Sequence, residues 1–310
     1  IYDAKWGVQG DKATGTGGWW DSDDPEFGGI QLGVVEAPKV IYGDTDSVFI
    51  KWSRKRMVDG TVVTLTGNKA LEYAIECGKA AGKWVTKHCL HAPQDLEYEK
   101  TFYPFILVSK KRYVADKYEF NAESCKRNSM GIVLKRRDNA PIVKHVFGNV
   151  IEKIMIDRDL QKSVEWLKQT LLAIRQGKFP MSYFVITKSL RGYYKNPKAI
   201  AHKVLADRIG ERDPGNKPKA VDRMPFAYRK LPEDMLLDKD NRYKSGPRKG
   251  QPRTKKVLQG DRVEDPTYMK QHDIELDYEF YITNQIMNPV KQVLDLEMDP
   301  KQTELLFKNI

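Results

Sequence analysis

Apolar positions recur every second residue in the first half of the chain and every three to four residues in the second. Val40-Ile41-Tyr42 and Val48-Phe49-Ile50 flank the turn-forming stretch Gly43-Asp44-Thr45-Asp46-Ser47, which predicts strand, tight turn and strand with acids at the tip. Asn68 is placed to cap a helix running to about His88, with Leu71, Ile75, Gly78 and Val85 on its inner side. Leu96 to Phe102 and Ile106 to Ala115 read as two further strands joined across Pro104. Residues 1–39 are rich in Gly, Trp and Asp, show no period before Ile30, and read as loop.

Beyond about Asp138 the period lengthens. Ile142, Val143, Val146, Phe147, Val150, Ile151 and Ile154 define one amphipathic helix. Leu160, Val164, Leu167, Leu171 and Ile174 define another, closed by Gly177 and Pro180. Asn196-Pro197 starts a third through Ile209, and a late helix runs from about Tyr281 to Leu296 with a bend at Pro289. The pattern is α+β, a sheet-bearing half followed by a mainly helical one, with the boundary near residue 139. Residues 211–260 read as one long loop, and Lys239 to Lys256 carries eight basic residues against the single acid Asp240. Such a loop is either mobile or laid on a ligand, and DNA and a protein partner are both candidates.

At 310 residues the chain has room for about two domains, and its 40% hydrophobic content excludes a fibrous or wholly disordered protein. Lys and Arg exceed Asp and Glu by 53 to 42, a formal charge of +11 that favours a polyanionic partner, nucleic acid first. Cys77, Cys89 and Cys125 form neither a disulfide framework nor a four-thiolate zinc site, as in a reducing compartment. His88, Cys89 and His91 match no recurrent zinc ligand spacing, and a helix end accounts for them. The longest apolar runs, such as Phe105 to Val108, fall short of the roughly twenty residues of a membrane helix, and no signal peptide opens the chain. The first residue is Ile1 rather than Met, as expected of a sequence that begins inside a longer reading frame or was processed.

Asp44 and Asp46 lie two apart, so in extended backbone their carboxylates leave one face. Two such anions repel by roughly 3 to 4 kcal/mol at an effective dielectric near 20, and a divalent cation between them removes that cost. Magnesium, which takes hard oxygen ligands and shares them with phosphates, is the natural occupant; a plain Asp-rich turn is the other reading. Gly43 leaves the tip bare for a close approach of substrate to the backbone.

Tyr42-Gly43-Asp44-Thr45-Asp46-Ser47 resembles motif C of family B DNA polymerases, and further segments follow in that family's order. They are Leu96-Glu97-Tyr98-Glu99-Lys100, Phe105 to Val108, Lys110-Lys111-Arg112-Tyr113, Gly131 with Arg136-Arg137-Asp138, Ile186 to Leu190, Glu264-Asp265-Pro266, and Tyr281 to Val290, the last of the delta type. The resemblance implies residues 40–138 as the carboxyl-terminal part of a polymerase palm and residues 139–310 as a thumb with an insertion about 211–260. It implies template-directed nucleotidyl transfer in DNA replication, with two magnesium ions held by Asp44, Asp46 and Glu99 and by a motif A aspartate that this sequence does not carry. A strand bearing Glu99 beside the hairpin agrees, although Glu97 shares its face and spacing does not choose between them.

Along a strand, Lys110 and Arg112 would face one way and Lys111 and Tyr113 the other; by resemblance these four grip primer-template DNA. Tyr42, Gly43 and Thr45 are expected beside the DNA, and Arg136, Arg137, Lys188 and Arg191 at its backbone. Deoxynucleoside triphosphates, the missing upstream polymerase portion and a sliding clamp or accessory subunits are the other implied partners, within a nucleus or a viral replication site. Motifs A and B do not appear, so the chain alone is expected to be inactive. The sequence stops at Ile310 without the cysteine-rich modules that the resemblance to the delta type implies after the thumb, so no iron-sulfur or zinc site is expected in it, and residues 1–39 match nothing in the family. Two rival readings remain: a non-catalytic DNA-binding half of a split polymerase, and an unrelated metal-dependent transferase using the Asp pair.

Overall fold

A computed structural model describes residues 18–135, 139–254 and 257–308, as two compact units that divide after Ile132. The architecture mixes helices with small antiparallel sheets.

The first unit is built on α1 (Gly67–Cys89) and three sets of strands: β1 (Lys39–Asp44) with β2 (Ser47–Lys51), β3 (Lys55–Val58) with β4 (Thr61–Thr64), and β5 (Thr101–Ser109) with β6 (Arg112–Tyr118) and β7 (Lys126–Met130). The β3–β4 hairpin is not among the expected elements, although its turn residues Asp59 and Gly60 both have positive φ, 49° and 76°, the pattern an Asp-Gly hairpin turn requires. The strand break expected at Pro104 is absent. Pro104 lies inside β5, where the register slips between Phe102 and Phe105 because proline donates no ladder hydrogen bond, and the chain reverses only at Lys110-Lys111. Residues 96–100 are irregular rather than strand.

Helix α1 presents Tyr73, Cys77 and Ala81 at four-residue spacing to Trp19, with Trp20, Leu32, Trp52 and Trp84 packed round them. Residues 18–38 are therefore irregular but not loose. They are held by aromatic burial and by the Trp19 indole, whose N–H donates to the Phe27 carbonyl at 2.6 Å. A second stripe on α1 is made by glycines. A Cβ on Gly78 would stand 2.7 Å from the Tyr98 ring, and one on Gly82 2.7 Å from the Leu96 carbonyl, so the 96–98 segment lies directly on the helix backbone.

The second unit opens with α2 (Pro141–Ile156) and α3 (Leu160–Arg175), packed through Val146, Phe147, Val150, Leu167 and Leu171. The Asp159 carboxylate caps α3 by accepting from the Lys162 amide at 3.1 Å. A three-stranded sheet follows, in the order β12 (Val263–Glu264), β9 (Arg223–Tyr228), β8 (Ile186–Ser189), with α4 (Ala201–Arg212) beside it. Residues 211–260 are thus no single loop. Their strand β9 is the centre of that sheet, with Met224, Phe226 and Ala227 buried, and β10 (Leu237–Arg242) with β11 (Pro252–Thr254) forms a hairpin. Pro225 and the charges on either side hid this strand from a reading by period. Two single turns, α5 (Glu233–Leu236) and α6 (Gln259–Arg262), complete the stretch.

Glu264 is fully buried, and its carboxylate accepts from Arg212 at 2.8 and 3.2 Å and from the Asp265 amide at 3.0 Å, with Arg208 at 3.5 Å. Burial, the largest single influence, pushes this carboxyl up; the Arg212 hydrogen bonds, the Asp265 amide and the charges of Arg208 and Arg212 together outweigh it and hold the group below the usual range. Asp265 then caps α7 (Pro266–Gln271), so the Glu-Asp-Pro string is a structural joint. The late helix is composite: α8 (Tyr278–Phe280), a wider π turn over Tyr281–Ile286, and α9 (Met287–Leu294), before α10 (Pro300–Lys308). The widening falls ahead of Pro289, whose ring and missing N–H disturb the preceding turn. Tyr281 inside it donates to the Phe184 carbonyl at 2.6 Å and accepts from the Tyr228 amide at 2.9 Å.

Candidate metal and nucleic-acid site

The β1–β2 turn has two residues, Thr45 and Asp46, between the paired Asp44 and Ser47. Thr45 has φ +56°, the left-handed value a tight hairpin needs at its first central position to match strand twist. For a β-branched side chain this is strained, by about 1–3 kcal/mol. The expectation that Asp44 and Asp46 share one face of extended backbone is corrected accordingly: Asp44 ends a strand and Asp46 occupies the turn. Both still stand at the tip, Asp44 with 18% of its side chain exposed and Asp46 open to solvent. Thr45, also exposed, turns its hydroxyl to the Asp44 carboxylate at 3.4 Å, and Ser47 donates to the Asp44 carbonyl at 3.1 Å.

The second hairpin tip comes to the same place. The Lys111 amide donates to the Tyr42 hydroxyl at 2.9 Å, and the Lys111 ammonium stands 3.4 Å from an Asp44 oxygen. Below the tips Phe49 meets Tyr42, Phe102, Phe105 and Tyr113 at centroid separations of 5.1, 5.8, 5.6 and 5.7 Å. Such contacts contribute about 0.5–1.5 kcal/mol each beyond area burial, and they lock one hairpin to the other. Tyr113, expected at the DNA, is only 7% exposed and supports the turn from beneath. Lys110 and Lys111 are exposed and Arg112 half-buried, but the two lysines form a turn, Lys111 at φ +60°, and Arg112 begins β6, so the three do not alternate along one strand. Gly131, at φ +62°, allows this, since a Cβ there would stand 2.2 Å from the Lys111 carbonyl oxygen.

Glu99 is not brought to the acid pair as a third ligand. Among the described residues no three His, Cys, Asp or Glu side chains are grouped to hold a metal, and Glu99 pairs with Lys100. Because Tyr98 turns onto α1, Glu97 and Glu99 on either side of it both face solvent. Near the other end of α1, the Asp24 carboxylate takes Lys87 and His88 at 2.9 Å each and is held far below the usual range, chiefly by the Lys87 hydrogen bond. In the second unit Lys188 lies exposed on β8 and Arg191 is exposed after it, while Arg136 and Arg137 fall outside the described residues. The Tyr42 to Lys111 and Gly131 to Lys111 contacts, across 69 and 20 residues of chain, were not anticipated from the sequence.

The sequence model described as DNA polymerase family B matches residues 33–296. The chain belongs to that family. It is 43% identical over 259 residues to the DNA polymerase of Pyramimonas orientalis virus, covering 84% of this chain and 19% of that protein. It is 41% identical over 284 residues to the DNA polymerase of Acanthamoeba polyphaga mimivirus, covering 92% of this chain and 15% of that protein. It is 31% identical over 271 residues to the DNA polymerase delta catalytic subunit of Caenorhabditis elegans, covering 87% of this chain and 22% of that protein. In fold it resembles the family B DNA polymerase of Pyrobaculum calidifontis, with a TM-score of 0.53 at 18% identity over 83% of this chain and 26% of that one. It is thus a family B chain of viral or delta type that spans less than a quarter of each of the three relatives. No helix among its described residues is long and apolar enough to cross a membrane.

Proposed function

We propose that this chain is part of a DNA-directed DNA polymerase, contributing the carboxyl-terminal palm (residues 40–138) and the thumb (139–310). The observation that supports the reading is the meeting of two hairpin tips, one acidic and one basic, over a shared aromatic core.

The donors fit magnesium. Asp46 is exposed, and Asp44 already holds a cation, the Lys111 ammonium. That pair is 57% exposed on the lysine side, so it contributes about 0–1 kcal/mol and yields readily to a divalent ion. Magnesium at Asp44 and Asp46 would supply Lewis-acid chemistry for nucleotidyl transfer, lowering the pKa of a primer 3′-hydroxyl and neutralising charge on the triphosphate. An aspartate from the upstream portion of the polymerase completes the ligands; Glu99 would join only after leaving Lys100. Lys110, Lys111 and Arg112 then hold phosphates of primer and template beside the acids, positioning the reacting ends without reading sequence. Gly43 keeps that face of the turn open, and Lys188, Arg136 and Arg137 supply charge for contacts to the DNA backbone.

In the complete polymerase, Asp46→Asn should abolish primer extension while leaving duplex affinity unchanged, and the 310 residues alone should extend no primer with magnesium. Extension by the Asn variant would refute the role of the acid pair, and extension by the isolated chain would refute the incompleteness of its site.

A further inference from the structure

The β10–β11 hairpin carries an excess of positive charge: its two acids, Asp238 and Asp240, lie in the first half of β10, and the rest of the ribbon is basic. Elsewhere in that unit several cations pair with carboxylates: Arg175 with Glu279, Lys203 with Asp207, Arg212 with Glu264, Lys230 with Glu275, Lys291 with Asp295 and Lys308 with Glu304. Residues 241–254 instead hold Arg242, Lys244, Arg248, Lys249 and Arg253 with no acid among them. All five are exposed, and none makes an ion pair with a described side chain.

The hairpin is also formed in advance. The Tyr243 amide donates to the Gln251 carbonyl at 3.0 Å and the Gly250 amide to the Tyr243 carbonyl at 2.9 Å, while Lys249 and Gln251 close the tip onto Gly246 and Arg248 at 3.0 Å each. Arg242 donates to the Gly250 carbonyl at 2.8 Å, and the Arg253 guanidinium lies 5.2 Å from the Tyr243 ring centre. Nothing lies within 4 Å of where a Cβ on Gly246 or Gly250 would be, so the tip stands clear of the protein surface.

Gathering five exposed cations on one ordered ribbon costs repulsion that two acids on the same ribbon, Asp238 and Asp240, are too few to cancel, and a polyanion removes it. We propose that the β10–β11 hairpin is a contact for the phosphate backbone of double-stranded DNA. It binds without sequence preference, because its exposed groups are point charges and guanidinium forks suited to phosphates. This contact rests on the reading of the chain as part of a DNA polymerase, and it adds a further hold on that enzyme's duplex.

The test is duplex binding by the full chain, followed by anisotropy of a labelled oligonucleotide across a salt series without magnesium or nucleotide. If three phosphates are no longer neutralised, the slope of log affinity against log salt should fall by about 2.7 and the affinity at 0.15 M salt by about 10²-fold. R242Q/K244Q/R248Q/K249Q/R253Q should show that loss with an unchanged circular dichroism spectrum, whereas K244R/K249R, which keeps the charge, should bind like the wild type. A slope within one unit of wild type in the five-fold variant would overturn the hairpin contact and leave the polymerase reading standing. A change confined to single-stranded DNA would overturn the duplex assignment, and absence of duplex binding by the wild type would overturn both readings.

Discussion

Replacing Gly131 with alanine tests whether the basic turn is held where the acid pair needs it. Gly131 sits at φ +62°, where an L-residue pays roughly 1–2 kcal/mol, and its new Cβ would stand 2.2 Å from the Lys111 carbonyl oxygen. Reaching ordinary contact requires a backbone shift of about 1 Å at Lys111, and two bonds depend on that residue's position. The Lys111 amide to Tyr42 hydroxyl bond, 2.9 Å, contributes about 0.5–1.5 kcal/mol, and the Lys111–Asp44 pair adds a fraction of that. The expected destabilisation is therefore about 2–4 kcal/mol, read as a lower urea midpoint at unchanged slope. Asparagine tolerates the left-handed backbone but brings the same Cβ, so Gly131→Asn separates the causes. If the collision dominates, both variants lose stability; if conformation dominates, only alanine does. An unfolding free energy for Gly131→Ala within about 0.5 kcal/mol of wild type would refute the account of how the two tips are held together.

Gly43→Ala should act the opposite way. A Cβ there meets the Ser47 carbonyl at 3.5 Å and Val48 Cγ1 at 3.9 Å, ordinary contacts, so stability should change by less than about 1 kcal/mol while primer extension by the complete polymerase falls. Comparing melting curves with extension rates checks it, and a parallel loss of both would place the need for glycine inside the fold. Glu264→Gln should cost about 3 kcal/mol near neutral pH, because Arg212 and Arg208 keep their charge without a counter-ion. Since the folded carboxyl is held below its unfolded value, this stabilisation is complete above about pH 4.5 and is lost as pH falls through the lower folded value. Urea midpoints for the two proteins should accordingly differ at pH 7 and converge in acid; a gap independent of pH would contradict the ion-pair account.

What sequence alone determined here is local. Period and turn chemistry located β1, β2, α1, α2 and α3, because a helix or hairpin with one buried face writes that face into consecutive residues. The Tyr-Gly-Asp-Thr-Asp-Ser string marked the acid tip unaided, since its residue types are selected by the turn and by the chemistry together. Tertiary structure decided what meets across the chain. Lys111 beside Asp44, Gly131 beneath Lys111 and Glu264 inside two arginines join residues 67, 20 and 52 or more positions apart, and no periodicity encodes such distances. It also turned a proline-bearing, charge-flanked stretch into the central strand β9, because pairing with β8 and β12 supplied hydrogen bonds and burial that residues 223–228 do not advertise by themselves. The same holds for Glu97 and Glu99: alternation put them on one face, but only the glycine stripe of α1, by drawing Tyr98 inward, decided that this face is the solvent.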